Sequence, residues 1–173
     1  IQGCGFAVFC DGALRDSFIE GGRGSDSISP EMPEYLPDRF EAGTLPTPAI
    51  VTLGSGIRYL NKLGMSEISK RLSDYSAKLC DRLDALGKLR LLARTDSGVV
   101  SFVRDGIPSS RIADALDRRG ICTRSGLHCA PSAHRKFGTL ETGAVRVSLS
   151  VLNTERDIDG LYDALREIVT VGS

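Results

Sequence analysis

An α/β sandwich is the fold class that the sequence predicts, with a mixed, largely antiparallel sheet that carries helices on one face. Helix-period apolar stripes and short β-branched runs follow each other along residues 65–173 in the order helix, two strands, helix, strand, loop, strand, helix. The first two strands are separated by the tight turn Asp96-Ser97-Gly98, which favours a hairpin. A hairpin with accompanying helices predicts one covered sheet face and one face that is available for docking.

Four helices are predicted from apolar stripes and from the residues that start and stop helices. The first has Thr47 at its N-cap and Pro48 at its first position, and the last has Thr154 as its cap with Asp157 in the capping-box position. Glycines stop the first three helices. The predicted helices cover residues 47–64, 66–87, 109–120 and 154–168, and the predicted strands cover residues 6–10, 89–94, 99–104, 121–123 and 144–151.

Composition narrows the classes of function. Lysines plus arginines equal aspartates plus glutamates at 22 each, and no basic run is present, which argues against nucleic acid as a partner. No apolar run approaches the length that spans a membrane, and residues 1–10 lack the pattern of a signal peptide. Five cysteines, an odd number, do not suit a secreted disulfide scaffold, so we expect a reducing cytoplasm.

The most reactive stretch of the chain is residues 124–134, where Cys129 follows His128. Gly126 and Pro131 disfavour a regular helix or a central strand here, so we expect Cys129 on a loop with a mobile side chain. Neighbouring positive charge favours the thiolate, the nucleophilic form of cysteine. The alternative is a cysteine that only fills space beneath a loop. The nearby basic residues are Arg124, His128, His134, Arg135 and Lys136.

Two other stretches have a functional and a plain interpretation. Arg146 lies on the polar face of the last predicted strand, where it is either a solvated surface charge or a planar fork that binds a carboxylate. The glycine-rich residues 21–27 either bring backbone N–H groups close to an anion or form a flexible linker. Residues 28–46 contain four prolines and are predicted to be irregular.

Three separated motifs lie at residues 39–44, residues 126–134 and residues 143–154. Together they resemble the C-terminal half of class V aminotransferase-type proteins, and in particular the cysteine desulfurases and selenocysteine lyases that use pyridoxal 5'-phosphate (PLP). The resemblance implies the C-terminal part of a PLP-dependent transferase of fold type I. Residues 1–64 would end the large cofactor-binding domain, with interface loops and a linking helix, and residues 65–173 would form the small domain with the cysteine loop.

The resemblance also implies roles for single residues. Cys129 matches the cysteine whose thiolate takes sulfur from L-cysteine, leaving a persulfide on the enzyme and releasing alanine. Arg146 matches the arginine that binds the substrate's α-carboxylate, with Arg124 nearby, and His128 either assists proton transfer or orients the loop.

Cofactor contacts are implied in the first part of the chain. Thr44 and Gly43 match a segment that reaches across a homodimer interface to the partner's cofactor phosphate. Gly24 and Ser25 resemble a second loop near that phosphate, although Arg23 stands where threonine is commoner.

By the same resemblance, residues 2–6 match the glycine-rich turn and strand that follow the Schiff-base lysine of the cofactor, so this lysine would fall a few residues before Ile1. The lysines of this sequence lack the matching context. The chain is therefore expected to be inactive alone, as one portion of a longer or split enzyme. The substrate could also be selenocysteine, and the activity that of an aminotransferase or epimerase. The resemblance also implies a sulfur-acceptor protein as a partner.

Two hypotheses assign the chain to other functional classes. Cys122, His128, Cys129 and His134 could bind zinc, but His128 and Cys129 are adjacent and no Cys-x-x-Cys pair is present, so we predict no metal site. The chain could also be a non-catalytic dimerisation or redox domain.

Overall fold

The computed structural model describes residues 3–10, 16–22 and 28–171. The chain divides into two compact units, residues 1–63 and 64–173. This division lies beside the boundary expected between residues 64 and 65. The assignment of the two units to a large and a small domain stays a prediction.

The first unit contains little regular structure apart from one helix. Among its described residues it has a short 3-10 helix, Asp38–Phe40, and α1, Thr47–Leu63. Ala49 is the one residue of α1 that is buried. Residues 3–10 form no strand, so the strand predicted at 6–10 is wrong; no other described segment pairs with it, and an isolated strand leaves its backbone groups unpaired.

Among its described residues, the second unit is a four-stranded sheet with four helices. Its sheet has the order β1-β2-β4-β3, and every neighbouring pair is antiparallel, so the sheet is not mixed within the described residues. The predicted α/β class with a largely antiparallel sheet is confirmed. The elements are α2 (Met65–Ala85), β1 (Arg90–Leu91), β2 (Val99–Val103), α3 (Ser109–Asp117), β3 (Arg124–Gly126), α4 (Pro131–Phe137), β4 (Ala144–Ser148) and α5 (Glu155–Val171).

The core lies between one face of the sheet and three helices. Val100 and Phe102 of β2 and Val145 and Val147 of β4 are buried on this face, together with apolar residues of α2, α3 and α5. Since side chains alternate along a strand, Ser101 and Arg146 lie on the opposite face. The core therefore fixes the strand that carries Arg146.

Several predicted boundaries are corrected by the structure. α4 was predicted as loop, yet Pro131 is tolerated at the first helical position, where no hydrogen bond from its nitrogen is needed. The third strand lies at residues 124–126 instead of 121–123. β4 ends at Ser148 because a turn follows, in which Ser150 N–H donates to Asn153 Oδ1. β1 is likewise reduced to residues 90–91.

Within the described ranges, none of the helices combines the length and the apolar character that a membrane crossing requires.

Candidate active site

Residues 127–130, the thiol loop, connect β3 to α4 and expose the side chain of Cys129. His128 and Cys129 have φ values of 51° and 57°, which is the left-handed region. Non-glycine residues adopt it at a cost of about 1–2 kcal/mol each, so neighbouring contacts must hold the loop in this form. One such contact is the backbone hydrogen bond from Ala130 N–H to Leu127 O, 2.9 Å long.

The segment from Gly126 to Thr142 contains the thiol loop and α4, and both of its ends bond to Ser109. Gly126 N–H donates to Ser109 Oγ over 3.2 Å, and Ser109 N–H donates to Thr142 O over 2.8 Å. A Cβ atom placed on Gly143 would lie 2.7 Å from Ser109 Oγ and 2.9 Å from Gly126 Cα. The close approach of these backbones excludes a side chain at position 143 and fixes the base of the segment.

A side-chain hydrogen bond fixes His128 to the sheet. Its Nε2 lies 3.1 Å from Ala144 O, and because a carbonyl oxygen only accepts, Nε2 carries the proton. Nδ1 is buried and has no hydrogen-bond partner among the described residues. Burial lowers the pKa of His128, and positive charge on Arg146, His134 and Arg124 lowers it further, against the opposing effect of the Ala144 hydrogen bond. A neutral His128 therefore offers Nδ1 as a proton acceptor.

His134 is the second histidine of this region, and from the sequence it is considered only as a nearby basic residue and in the zinc alternative. Its side chain is buried, and its Nδ1 lies 2.7 Å from the hydroxyl of Thr139, which is also buried. The ring centroids of His134 and His128 are 6.0 Å apart. Thr139 is not predicted as a site residue. The one signal in the sequence is that it follows Gly138 directly, and this glycine ends α4 with a left-handed φ of 67°.

Arg146 and Arg124 face each other across β4 and β3. They are direct partners in the antiparallel register, which places both side chains on the same face of the sheet. Arg146 Nε is buried, and among the described residues no acceptor bonds to it. Like charges directly opposite each other destabilise a sheet, so this pairing favours an anion at the same place.

A cavity of about 330 Å³ lies on this face of the sheet. His128 and Ala130, the two neighbours of Cys129, both line it, together with His134 and Arg146. The other described lining residues are small, apolar or hydroxyl-bearing, and none of them is acidic. The cavity thus suits a small molecule with an anionic group and an apolar or sulfur-containing part.

The other predicted site residues belong to the first unit. Gly43 has a φ of 84°, and the side chain of Thr44 is exposed, so its hydroxyl and the adjacent backbone N–H are accessible to an anion. Gly24 and Ser25 lie outside the described residues.

The geometry gives no support to the zinc alternative. Within the described ranges, no three side chains of the histidine, cysteine, aspartate or glutamate type are grouped to hold a metal ion. His128 Nε2 and His134 Nδ1 are also occupied by Ala144 O and by Thr139.

Comparison with known proteins identifies one family. The model of the family described as aminotransferase class-V matches residues 5–161. A probable cysteine desulfurase 2 of Mycobacterium leprae is 33% identical over 86% of this chain and 37% of its own length. A cysteine desulfurase of Synechococcus elongatus is 38% identical over 78% of this chain and 21% of its own length.

Solved structures give the same result. The apo structure of a cysteine desulfurase from Thermococcus onnurineus has a TM-score of 0.72 and 32% identity, covering 78% of this chain and 34% of that chain. A cysteine desulfurase from Escherichia coli, solved as an S-sulfonic acid, has a TM-score of 0.66 and 26% identity, covering 78% of this chain and 33% of that chain. The chain thus spans about a fifth to two fifths of the length of these relatives.

Proposed function

Because the chain belongs to the class V aminotransferase family, we propose that it forms the thiol-bearing part of a PLP-dependent, cysteine desulfurase-like enzyme. The proposed reaction removes sulfur from L-cysteine to give alanine and a persulfide on Cys129. The observation that carries the proposal is the placement of an exposed thiol between two residues, His128 and Ala130, that line the same cavity as Arg146. The thiol therefore lies at the rim of a space that suits an amino acid.

Arg146 is proposed to bind the substrate carboxylate. Its Nε is a buried donor that no described residue satisfies, and a buried donor without a partner costs free energy until a ligand supplies one. A guanidinium can bind a carboxylate with two parallel hydrogen bonds, which fixes the orientation of the substrate. Arg124, on the same face, adds positive charge at the entrance.

Cys129 is proposed as the nucleophile. As a thiolate its Sγ forms an S–S bond to the substrate sulfur while the C–S bond of the substrate breaks. A proton added to the β-carbon of the substrate then completes alanine. When bound, pyridoxal phosphate accepts the electron pair released from the C–S bond. The exposed position of Cys129 lets its side chain approach the substrate and afterwards present the persulfide to an acceptor.

His128 is proposed to take up the thiol proton. Its Nδ1 is unprotonated in the neutral ring, and the adjacent position in sequence keeps it close to Cys129. Proton transfer needs a group that is neutral near the working pH, which the lowered pKa of His128 provides.

The fit of the cofactor rests on donor chemistry. The exposed Thr44 hydroxyl, the N–H beside Gly43 and the residues Gly24 and Ser25 are proposed to bind its phosphate, across a homodimer interface. No residue of this chain is proposed as its Schiff-base lysine, so we propose that the chain alone is inactive. We also propose that the protein is cytoplasmic and that an acceptor protein receives the sulfur of the persulfide.

The test uses the protein expressed from its whole coding sequence, loaded with pyridoxal phosphate. Incubation with L-cysteine and a reductant is expected to yield alanine and sulfide in equal amounts. Without reductant, mass spectrometry is expected to find one added sulfur atom on the peptide that contains Cys129. Amino-group transfer to a 2-oxo acid, or turnover of selenocysteine alone, would replace the proposed activity with another of the same family.

A further inference from the structure

The second histidine of the cavity has no part in the steps above, yet it is the more deeply buried of the two. His134 is 4% exposed and Thr139 is 2% exposed. Two polar side chains are seldom buried together unless they bond to each other, and these two do so over 2.7 Å. The pair therefore occupies a defined position beneath the thiol loop.

The hydrogen bond between them determines the orientation of the His134 ring. The Thr139 hydroxyl has no other side-chain hydrogen bond among the described residues, so its bond to His134 Nδ1 is the contact that sets the ring. Backbone hydrogen bonds tie the same two residues together, from Thr139 N–H to His134 O at 2.9 Å, and Thr139 O in turn accepts from Gly143 N–H at 2.8 Å. His134 is thus fixed both to α4 and to the start of β4.

The His134 ring is in contact with the His128 ring. Their centroids are 6.0 Å apart with an interplanar angle of 44°, which is within the usual range for paired aromatic rings. On its other side His128 donates to Ala144 O, a residue of β4. His128 is therefore enclosed between an α4 side chain and a β4 carbonyl, and these contacts add to the Ala130–Leu127 hydrogen bond in holding the left-handed conformation of His128.

We propose that His134, fixed by the Thr139 hydroxyl, is a positioning residue for the thiol loop. It holds the His128 ring so that Nε2 bonds to Ala144 O while Nδ1 keeps no hydrogen-bond partner among the described residues. The inference rests on the proposed function, because it takes the thiol loop to be the sulfur-carrying element. The charged groups that face His128 are Arg146 of β4, Arg124 of β3 and His134 of α4.

The first test measures His128 without any cofactor. The 173-residue chain contains two histidines, so ¹⁵N-histidine labelling gives two sets of ring signals, which His128→Asn assigns. Thr139→Val removes the hydroxyl while keeping the shape of the side chain. We expect the His128 signals to change from one tautomer, protonated at Nε2, to an average of two, and its pKa to rise toward the ordinary value because the ring becomes less buried.

Two controls separate positioning from stability. Thr139→Ser keeps the hydroxyl and is expected to retain the wild-type His128 signals. Ser76→Ala removes another buried hydroxyl, which accepts from Gly98 N–H over 3.0 Å far along the chain from the thiol loop, and is expected to destabilise the fold without changing those signals. If His128 is unchanged in folded Thr139→Val, or changes equally in Ser76→Ala, the inference is overturned.

The second test measures catalysis in the PLP-loaded protein from the whole coding sequence. Thr139→Val is expected to lower kcat/KM for sulfide release by about tenfold and to shift its pH profile, since a small displacement of a reacting group costs one to two powers of ten. An unchanged kcat/KM would overturn the inference even if the NMR signals moved. Full sulfide release by Cys129→Ala would instead overturn the proposed function, so the two failures are distinguishable.

Discussion

β4 and the thiol loop both carry proposed site residues, but they hold them by different means. β4 is paired on both sides, and Val145 and Val147 are buried in the core beneath it, so the position of Arg146 is set by residues from distant parts of the chain. The thiol loop is held by a backbone turn, two left-handed residues and one side-chain hydrogen bond. The strand that carries Arg146 is therefore held by more of the fold than the loop that carries the exposed Cys129, which suits the proposed role of Cys129 as a nucleophile that meets a substrate and then an acceptor.

The largest effect on activity is expected at Cys129, which is proposed to react but whose exposed side chain does not pack in the core. Cys129→Ala in the PLP-loaded protein should reduce sulfide release by on the order of 1000-fold or more, because the nucleophile is lost. The free energy of unfolding should not change, since the side chain is exposed. A sulfide assay measures the first quantity, and urea unfolding measures the second.

Cys122→Ala is the matched control, because Cys122 is also exposed and lies just before the same segment. It should keep wild-type sulfide release. A large loss in Cys122→Ala, or none in Cys129→Ala, would reassign the nucleophile.

The base of the loop can be broken without touching its chemistry. Gly143→Ala should lower the free energy of unfolding by about 3 kcal/mol, combining a left-handed alanine with a Cβ placed against Ser109 and Gly126. Gly138→Ala has a similar φ of 67° but nothing within 4 Å of the new Cβ, so it should cost about 1 kcal/mol. Equal losses in urea unfolding would show that crowding at position 143 is absorbed by the surrounding chain.

On β4 the comparison predicts a functional loss without a structural one. Arg146→Gln should raise KM for L-cysteine roughly 30-fold, equivalent to about 2 kcal/mol for a lost charged partner. Its free energy of unfolding should stay within about 0.5 kcal/mol of wild type, because the like-charged pair with Arg124 is relieved.

Arg124→Gln relieves the same repulsion but retains the buried donor, so its KM should change less than that of Arg146→Gln. An unchanged KM in Arg146→Gln would return Arg146 to an ordinary solvated charge.

The smallest expected effect concerns pH. The pKa of His128 is lowered in the folded chain, so the unfolded chain binds more protons near and below the ordinary histidine pKa of about 6.5. Stability from this residue is therefore present above that pH and lost as the pH falls through it. The urea midpoint should drop more between pH 7.5 and 5.5 for wild type than for His128→Asn; a larger drop in the variant would contradict the direction of the shift.

Sequence reasoning reached the parts of the fold that repeat a simple period. The stripes of α2 and α5 and the alternation around Arg146 predicted elements that the structure contains. The helix α4 is not predicted, because Gly126 and Pro131 both disfavour regular structure, although Gly126 ends a strand and Pro131 begins a helix. The strand predicted at residues 6–10 is wrong because a short apolar run alone does not supply a pairing partner.

The candidate site divides in the same way. Cys129, His128 and Arg146 were predicted as site residues from local pattern and family resemblance, and their roles stay proposals. The contact between His134 and His128, the hydroxyl of Thr139 and the meeting of Ser109 with Gly143 depend on distances between segments. No spacing along the chain encodes such distances, so these contacts could not be predicted.

The absence of room beside Gly143 has a consequence for how this protein can diverge. Natural variants must keep glycine there or rebuild two other segments at once, whereas exposed neighbours such as Ser132 and Lys136 can change one at a time. Selection can thus change exposed residues of α4 one at a time, while the close backbone contact at Gly143 stays the same.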